Sequence, residues 1–316
     1  STVLSRRQVL PDVIQVEGEE RVPFSKGILS GSLNATGLDL SVAYATAAEI
    51  QAKLLEQDLK SISRKKLRRM VHDELLHTHG RELADRYLVW RYVGSPGKPV
   101  VLLIGGSSGV GKTSLGSEAA HRLGIGRIVT TDSVREIMRL MFSRDLLPTL
   151  HYSSYEAWKG WPVGDSRGEE IHAFVEQSTR VNVGVKALVD RASRESHNIA
   201  IEGVHLVPGL LDYQSLPGKA YFVHVVLASL DVANYAERFS VRAAQEAARP
   251  SSKYLENLDA ILQIQDYILE MAHLHKTPIV ESQNPEKSLT ELITTITDSL
   301  REQLELEGRK LVESTL

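Results

Sequence analysis

Gly106, Gly111, Lys112 and Thr113 stand in the spacing Gly-x-x-x-x-Gly-Lys-Thr, and each residue type has a physical job at its position. The glycines let the backbone curl until several N–H groups point inward at an anion, against the positive end of a following helix. Lys112 brings a full charge to the β- and γ-phosphates of a nucleotide, and the Thr113 hydroxyl is a ligand for Mg²⁺. Ser107, Ser108, Gly109 and Val110 supply the rest of the loop, and Ser114 continues it into the helix. The unbroken apolar run Val100 to Ile104 before the loop reads as a strand buried on both faces. Strand, glycine loop and helix in that order are the context in which this spacing cradles phosphates, so the chain is expected to bind a nucleoside triphosphate.

Further groups are placed by the rule that ligands of open parallel sheets gather at the carboxyl ends of strands. Asp132 follows a second predicted strand, Arg127 to Thr131. Its carboxylate suits acceptance of a proton from a substrate hydroxyl, or support of a metal's water shell; a plain helix N-cap is the alternative. Arg135 and Arg139 lie four apart on the next helix, hence on one face, and suit forked contacts to an acceptor's phosphate or carboxylate. An ordinary solvated face is their alternative. Glu202 ends a third strand, where an acid can orient Mg²⁺ and its water; His205, just beyond, reads equally as a substrate contact or as a satisfied structural histidine. Tyr155 sits in an aromatic cluster, Leu150 to Trp161; such clusters usually pack, the other reading being a mobile substrate cover. Arg238 and Arg242, at i and i+4, suit a lid that neutralises charge on a transferring phosphoryl group.

These residues need elements to hold them. From residue 99 onward strands and helices alternate, as in a parallel sheet with crossovers. Predicted helices are Thr113 to Leu123, Ser166 to Glu195 (one or two), Asp231 to Ala248, Ser251 to Leu274 and Ser288 to Glu307; further strands are Asn198 to Glu202, Ala220 to Leu227 and Pro278 to Glu281. Residues 1–93 lack that alternation. Val9 to Val16 and Val22 to Phe24 have strand-like content, followed by helices opened by Ser25, at Val42 to Leu59, at Arg64 to His79 behind Ser63, and at Arg81 to Tyr92. The stretch Gly94 to Pro99 reads as a linker, dividing the chain into domains 1–93 and 94–316.

Composition narrows the class. In 316 residues, 42% hydrophobic and 24% charged content is ordinary for a globular protein, and a net charge of −3 argues against a nucleic-acid partner. No apolar run reaches the length of a bilayer span and the polar start is no signal peptide, so no membrane partner and a cytoplasmic location are expected. With no cysteine, disulfides and thiolate metal sites are excluded. The sequence leaves a homo-oligomer open.

Residues 7–92 resemble the ATP-cone, a small nucleotide-binding regulatory module, through Val22-Pro23-Phe24-Ser25-Lys26-Gly27-Ile28, the helix around Ala43 to Leu54, and Ala84 to Arg91. That resemblance implies a second nucleotide on this domain, near Lys26; a helical domain that binds nothing is the alternative. The segments Ile104 to Thr113, Thr131 to Arg139, Pro148-Thr149-Leu150-His151 with Ser153-Ser154-Tyr155, and Ile201 to His205 together resemble the 2-phosphoglycerate kinase family. The resemblance spans nearly the whole chain. It implies an adenylate-kinase-like P-loop fold, with five parallel strands and flanking helices behind a mostly helical N-terminal domain. It also implies transfer of the γ-phosphoryl of ATP, with Mg²⁺, to the hydroxyl of 2-phosphoglycerate. The residue reading leaves open another anionic polyol as acceptor, such as a sugar acid or inositol phosphate. It also leaves open a nucleotide-gated switch with no small acceptor.

Overall fold

Ser25 and Ser63 open helices as short hydroxyl side chains do, by accepting the N–H three residues on: Ser25 Oγ from Ile28 N at 3.3 Å, Ser63 Oγ from Lys66 N at 3.2 Å. The computed structural model describes residues 14–17, 22–57, 60–93, 98–161, 169–212, 220–229 and 256–306. They fall into two units, one within residues 1–94 plus the last turn of the terminal helix from Leu304, the other within 95–303.

The first unit has short strands β1 (Gln15–Glu17), β2 (Val22–Pro23) and β3 (Ser61–Ser63), in the order β2-β1-β3, antiparallel then parallel. Its helices are α1 (Lys26–Asn34), α2 (Leu40–Glu56), α3 (Arg64–Thr78) and α4 (Arg81–Val93). On α2 the fully buried side chains are Ala43, Ala47, Ile50 and Leu54, one stripe at helical spacing that meets Leu33, Val71, Leu75 and Leu88. Burial of each large member contributes roughly 1.5–3 kcal/mol. Strand β3 is not expected from the sequence. Three residues carry no period of their own, and only pairing Ile62 against Val16 makes them a strand.

The second unit is built on β4 (Val100–Gly105), whose residues Val100 to Ile104 have no exposed surface. In chain order follow α5 (Lys112–Arg122), β5 (Ile128–Thr130), α6 (Thr131–Met141) and two 3₁₀ turns, Pro148–His151 and Ser154–Gly160. Then come α7 (Glu169–Glu195), β6 (Ile199–Glu202), β7 (Tyr221–Ala228), α8 (Leu258–Leu274), β8 (Ile279–Glu281) and α9 (Pro285–Leu306). The sheet order is β5-β6-β4-β7-β8, every pair parallel. Numbered by appearance within this sheet, that is 2-3-1-4-5, the five-stranded P-loop arrangement. The sequence leaves one helix or two before β6; a single helix, α7, fills the described part.

Strand β5 is shorter than expected. The Thr130 hydroxyl accepts Ser133 N at 3.0 Å and starts α6 at Thr131, so Asp132 lies inside the first helical turn rather than at a strand end. Nor is Asp132 the cap, since Thr130 fills that place. The expected helix Asp231 to Ala248 lies outside the described residues, and Arg238 and Arg242 with it.

Candidate active site

Strand register decides what meets at the carboxyl edge of the sheet. Ile104 pairs with Glu202 and Glu202 with Thr130, so the loop after β4, the acid ending β6 and the start of α6 lie side by side. Gly106 has φ +140, and a Cβ there would stand 2.3 Å from Leu227 O. Only glycine lets the chain turn so close to β7. Gly109 and Gly111 also have left-handed backbone, at φ +86 and +82. No side chain caps α5 at Gly111, so its first turn faces the loop with the helix's positive end, a ready anion site. Lys112 Nζ donates to Ser107 O at 2.6 Å, folding the lysine back over the loop. Val110 is fully buried beneath it, and the Ser107 hydroxyl reaches Gln265 Oε1 on α8 at 3.5 Å. Ser108 and Ser114 lie on the same loop and helix start.

Thr113 Oγ1 donates to Glu202 Oε1 at 2.8 Å. A hydroxyl and a carboxylate paired at the foot of a phosphate loop are the donor set Mg²⁺ needs, since the rest of its shell comes from phosphate oxygens and water. Among the described residues no group of three or more His, Asp or Glu could hold a metal alone.

The wall beside the loop belongs to α6. Asp132 is exposed, its side chain 65% accessible, with Oδ1 3.6 Å from Arg135 Nε. Arg135 is largely buried and committed: Nη1 donates to Leu150 O at 3.0 Å and Tyr152 O at 2.9 Å, and Nη2 to Glu136 at 2.9 Å. The Nη1 donors therefore pin the end of the first 3₁₀ turn, and Nη2 is taken by a neighbouring carboxylate. Arg139 is half exposed and pairs with Glu136 at 2.5 Å. Tyr155 is buried in the second 3₁₀ turn, part of the packed wall.

His205 is the clearest departure from a reading as substrate contact. It has no exposed surface, Nδ1 lies 2.8 Å from Thr131 Oγ1, and Nε2 lies 3.0 Å from Gln177 Oε1. Burial lowers its pKa from 6.5 to about 4, the Asp132 charge raising it and Arg135 and Lys112 lowering it. The charges of three candidate site residues thus reach one buried ring. Gln177, Thr131 and Gln265 are not singled out by sequence reading. The one available signal is that Gln177, Ser178 and Asn182 interrupt an otherwise apolar stripe on α7, between Phe174, Val181 and Val185.

The first unit holds a separate cleft of about 270 Å³. It is lined by Phe24, Leu67 and Tyr87 together with Arg64, Arg68 and Arg91. Burial lowers the pKa of Arg68, Tyr87 raises it, and Arg91 and Arg64 add to the lowering. Lys26, near which the sequence reading puts a second nucleotide, has its Nζ over the Tyr44 ring, 4.3 Å from the centroid.

No family model matches the chain. It is 35% identical over 308 residues to the 2-phosphoglycerate kinase of Pyrococcus furiosus, covering 95% of this chain and 98% of that one. To the 2-phosphoglycerate kinase of Methanocaldococcus jannaschii it is 39% identical over 301 residues, covering 94% and 95%. A solved gluconokinase from Sinorhizobium meliloti 1021 aligns over 68% of this chain at 20% identity with a TM-score of 0.38, too low to carry weight. Identity above one third along nearly the full length of both chains settles the relationship: this chain belongs to the 2-phosphoglycerate kinase family.

Proposed function

We propose that the chain is an ATP-dependent kinase that transfers the γ-phosphoryl group to the hydroxyl of 2-phosphoglycerate, giving 2,3-bisphosphoglycerate and ADP. The observation that carries the reading is the junction of the phosphate loop, the Thr113–Glu202 pair and Asp132 at one sheet edge. The named activity of the relatives supports the acceptor. The loop N–H groups and Lys112 hold the β- and γ-phosphates. Thr113 and Glu202 would hold Mg²⁺, which when bound offsets phosphate charge. The acceptor hydroxyl oxygen bonds to the γ-phosphorus as the bond to the ADP oxygen breaks, and Asp132 orients the hydroxyl and takes its proton. Arg139, and Arg135 with whatever capacity its carbonyl contacts leave, face the acceptor's anionic groups. Arg238 and Arg242, outside the described residues, are assigned from the sequence alone to neutralise charge on the transferring phosphoryl group. A small anionic metabolite is then the partner, and self-association is a question for solution sizing. No helix among the described residues is long and apolar enough to cross a membrane.

The test is incubation with Mg-ATP and a panel of anionic polyols, including 2-phosphoglycerate, sugar acids and inositol phosphates, with products identified by mass. A bisphosphorylated product from 2-phosphoglycerate alone is expected. Equal ADP release with no acceptor present would refute the kinase reading in favour of a nucleotide-gated switch.

A second nucleotide on the N-terminal unit is favoured by one observation, the cleft in which Arg64, Arg68 and Arg91 crowd beside Phe24 and Tyr87. Clustered guanidinium groups repel one another, and a polyphosphate relieves that repulsion while an aromatic wall takes a base. Equilibrium dialysis should give two nucleotides per chain, falling to one in Arg68→Ala; one per chain in the parent refutes this part.

A further inference from the structure

The hydrogen bonds around His205 have a determined direction. Gln177 Nε2 donates to Tyr152 O at 3.1 Å and to Thr149 O. Its amide is therefore oriented with Oε1 toward His205, and an oxygen can only accept, so His205 Nε2 carries the proton. His205 Nδ1 is then the acceptor, and the Thr131 hydroxyl donates to it at 2.8 Å. The chain of bonds runs one way, from the first turn of α6, through the loop after β6, to α7, and ends on the backbone of the first 3₁₀ turn. Arg135, one turn along α6, reaches the same Tyr152 carbonyl from its own side and also holds Leu150 O.

Two further features fix the ring. Asn182 Nδ2 donates to His205 O at 3.2 Å. Gly203 has φ +156, and a Cβ on it would stand 1.8 Å from Thr131 Oγ1; no other residue lets the start of α6 approach the end of β6 so closely. Thr131, His205 and Gln177 have no exposed surface, and a buried donor or acceptor without a partner is costly, so these three side chains move as a unit or not at all.

We propose that His205 is a positioning residue for phosphoryl transfer: through Thr131 on one side and Gln177 on the other, it locks Asp132 and the Thr149–Tyr152 segment into one wall of the acceptor site. The inference rests on the kinase reading above, and adds to it which buried groups set the acceptor geometry. The chain of bonds from Thr131 to Tyr152 ends on the acceptor wall, whereas Lys112 Nζ bonds to Ser107 O and Thr113 to Glu202, so the expected effect falls chiefly on the acceptor.

Thr131→Val keeps the side-chain shape and removes the donor; Thr131→Ser keeps the donor; His205→Leu removes both links. Steady-state kinetics with Mg-ATP and 2-phosphoglycerate are read beside amide exchange of the peptide spanning 147–153. Thr131→Val and His205→Leu should raise the acceptor KM and lower kcat by about tenfold or more, the scale of a sub-ångström to 1 Å misplacement, with the ATP KM within twofold of the parent. Exchange at 147–153 should quicken, and Thr131→Ser should restore both readouts. Parent-like acceptor kinetics in Thr131→Val would overturn the proposal, as would acceptor and ATP KM rising together, which marks general loosening. Should the parent phosphorylate no acceptor, the kinase reading fails on its own; exchange then decides the coupling, and parent-like protection of 147–153 in both variants overturns it.

Discussion

Lowering the pH from 7 to 5 tests the burial of the two interior histidines. His205 and His224 are each held at a pKa of about 4 against 6.5 for an open imidazole, in both cases chiefly by burial. For His224 the hydrogen bond to the Leu206 carbonyl raises the value and the His275 charge lowers it. In the unfolded chain both rings take up a proton as the pH falls through 6.5; in the folded protein neither does until near pH 4. The unfolded state therefore binds more protons across the window from about 6.5 to 4, and folding stability must fall with pH there. Integrated from pH 7 to pH 5, each histidine removes about 2 kcal/mol, and the pair about 4 kcal/mol, a large share of an ordinary folding free energy of roughly 5–15 kcal/mol. Urea unfolding at the two pH values measures it directly. His205→Leu and His224→Leu will each lower stability at pH 7, so the diagnostic quantity is the loss between pH 7 and 5. That loss should shrink by about 2 kcal/mol in each variant. An unchanged loss in both would show that these rings titrate as exposed groups, and the reasoning from burial would be wrong.

Lys112→Ala should cut kcat by roughly 10²–10³ or more, as for removal of one electrostatic stabiliser of the transition state, while the thermal midpoint shifts little, since its bond to Ser107 O is partly exposed. Parent-like turnover would remove the loop from catalysis. Asp132→Asn should spare ATP binding by calorimetry and slow transfer by about 10²-fold or more, the scale of a positioned base; transfer at the parent rate removes Asp132 from the mechanism. Gly106→Ala should abolish ATP binding and cost about 2 kcal/mol or more, since its Cβ would press on Leu227 O; denaturant midpoint and nucleotide titration check both.

The phosphate loop was legible because its chemistry is local: strand, glycines, lysine and threonine are consecutive, and backbone geometry follows from residue type. The helix starts at Ser25 and Ser63 were legible for the same reason, a side chain bonding three residues ahead. The alternation of strands and helices after residue 99 announced a parallel sheet. Sequence alone could not give the strand order, which depends on pairings between residues about a hundred apart, such as Ile104 with Glu202. It could not choose between two roles for His205, because which groups face each ring nitrogen is decided by residues 74 and 28 positions away. The i, i+4 spacing of Arg135 and Arg139 fixes one face of a helix, suited to an anion or simply to solvent; what that face meets, here the Leu150 and Tyr152 carbonyls at Arg135, is fixed only when the 3₁₀ turn folds back against it.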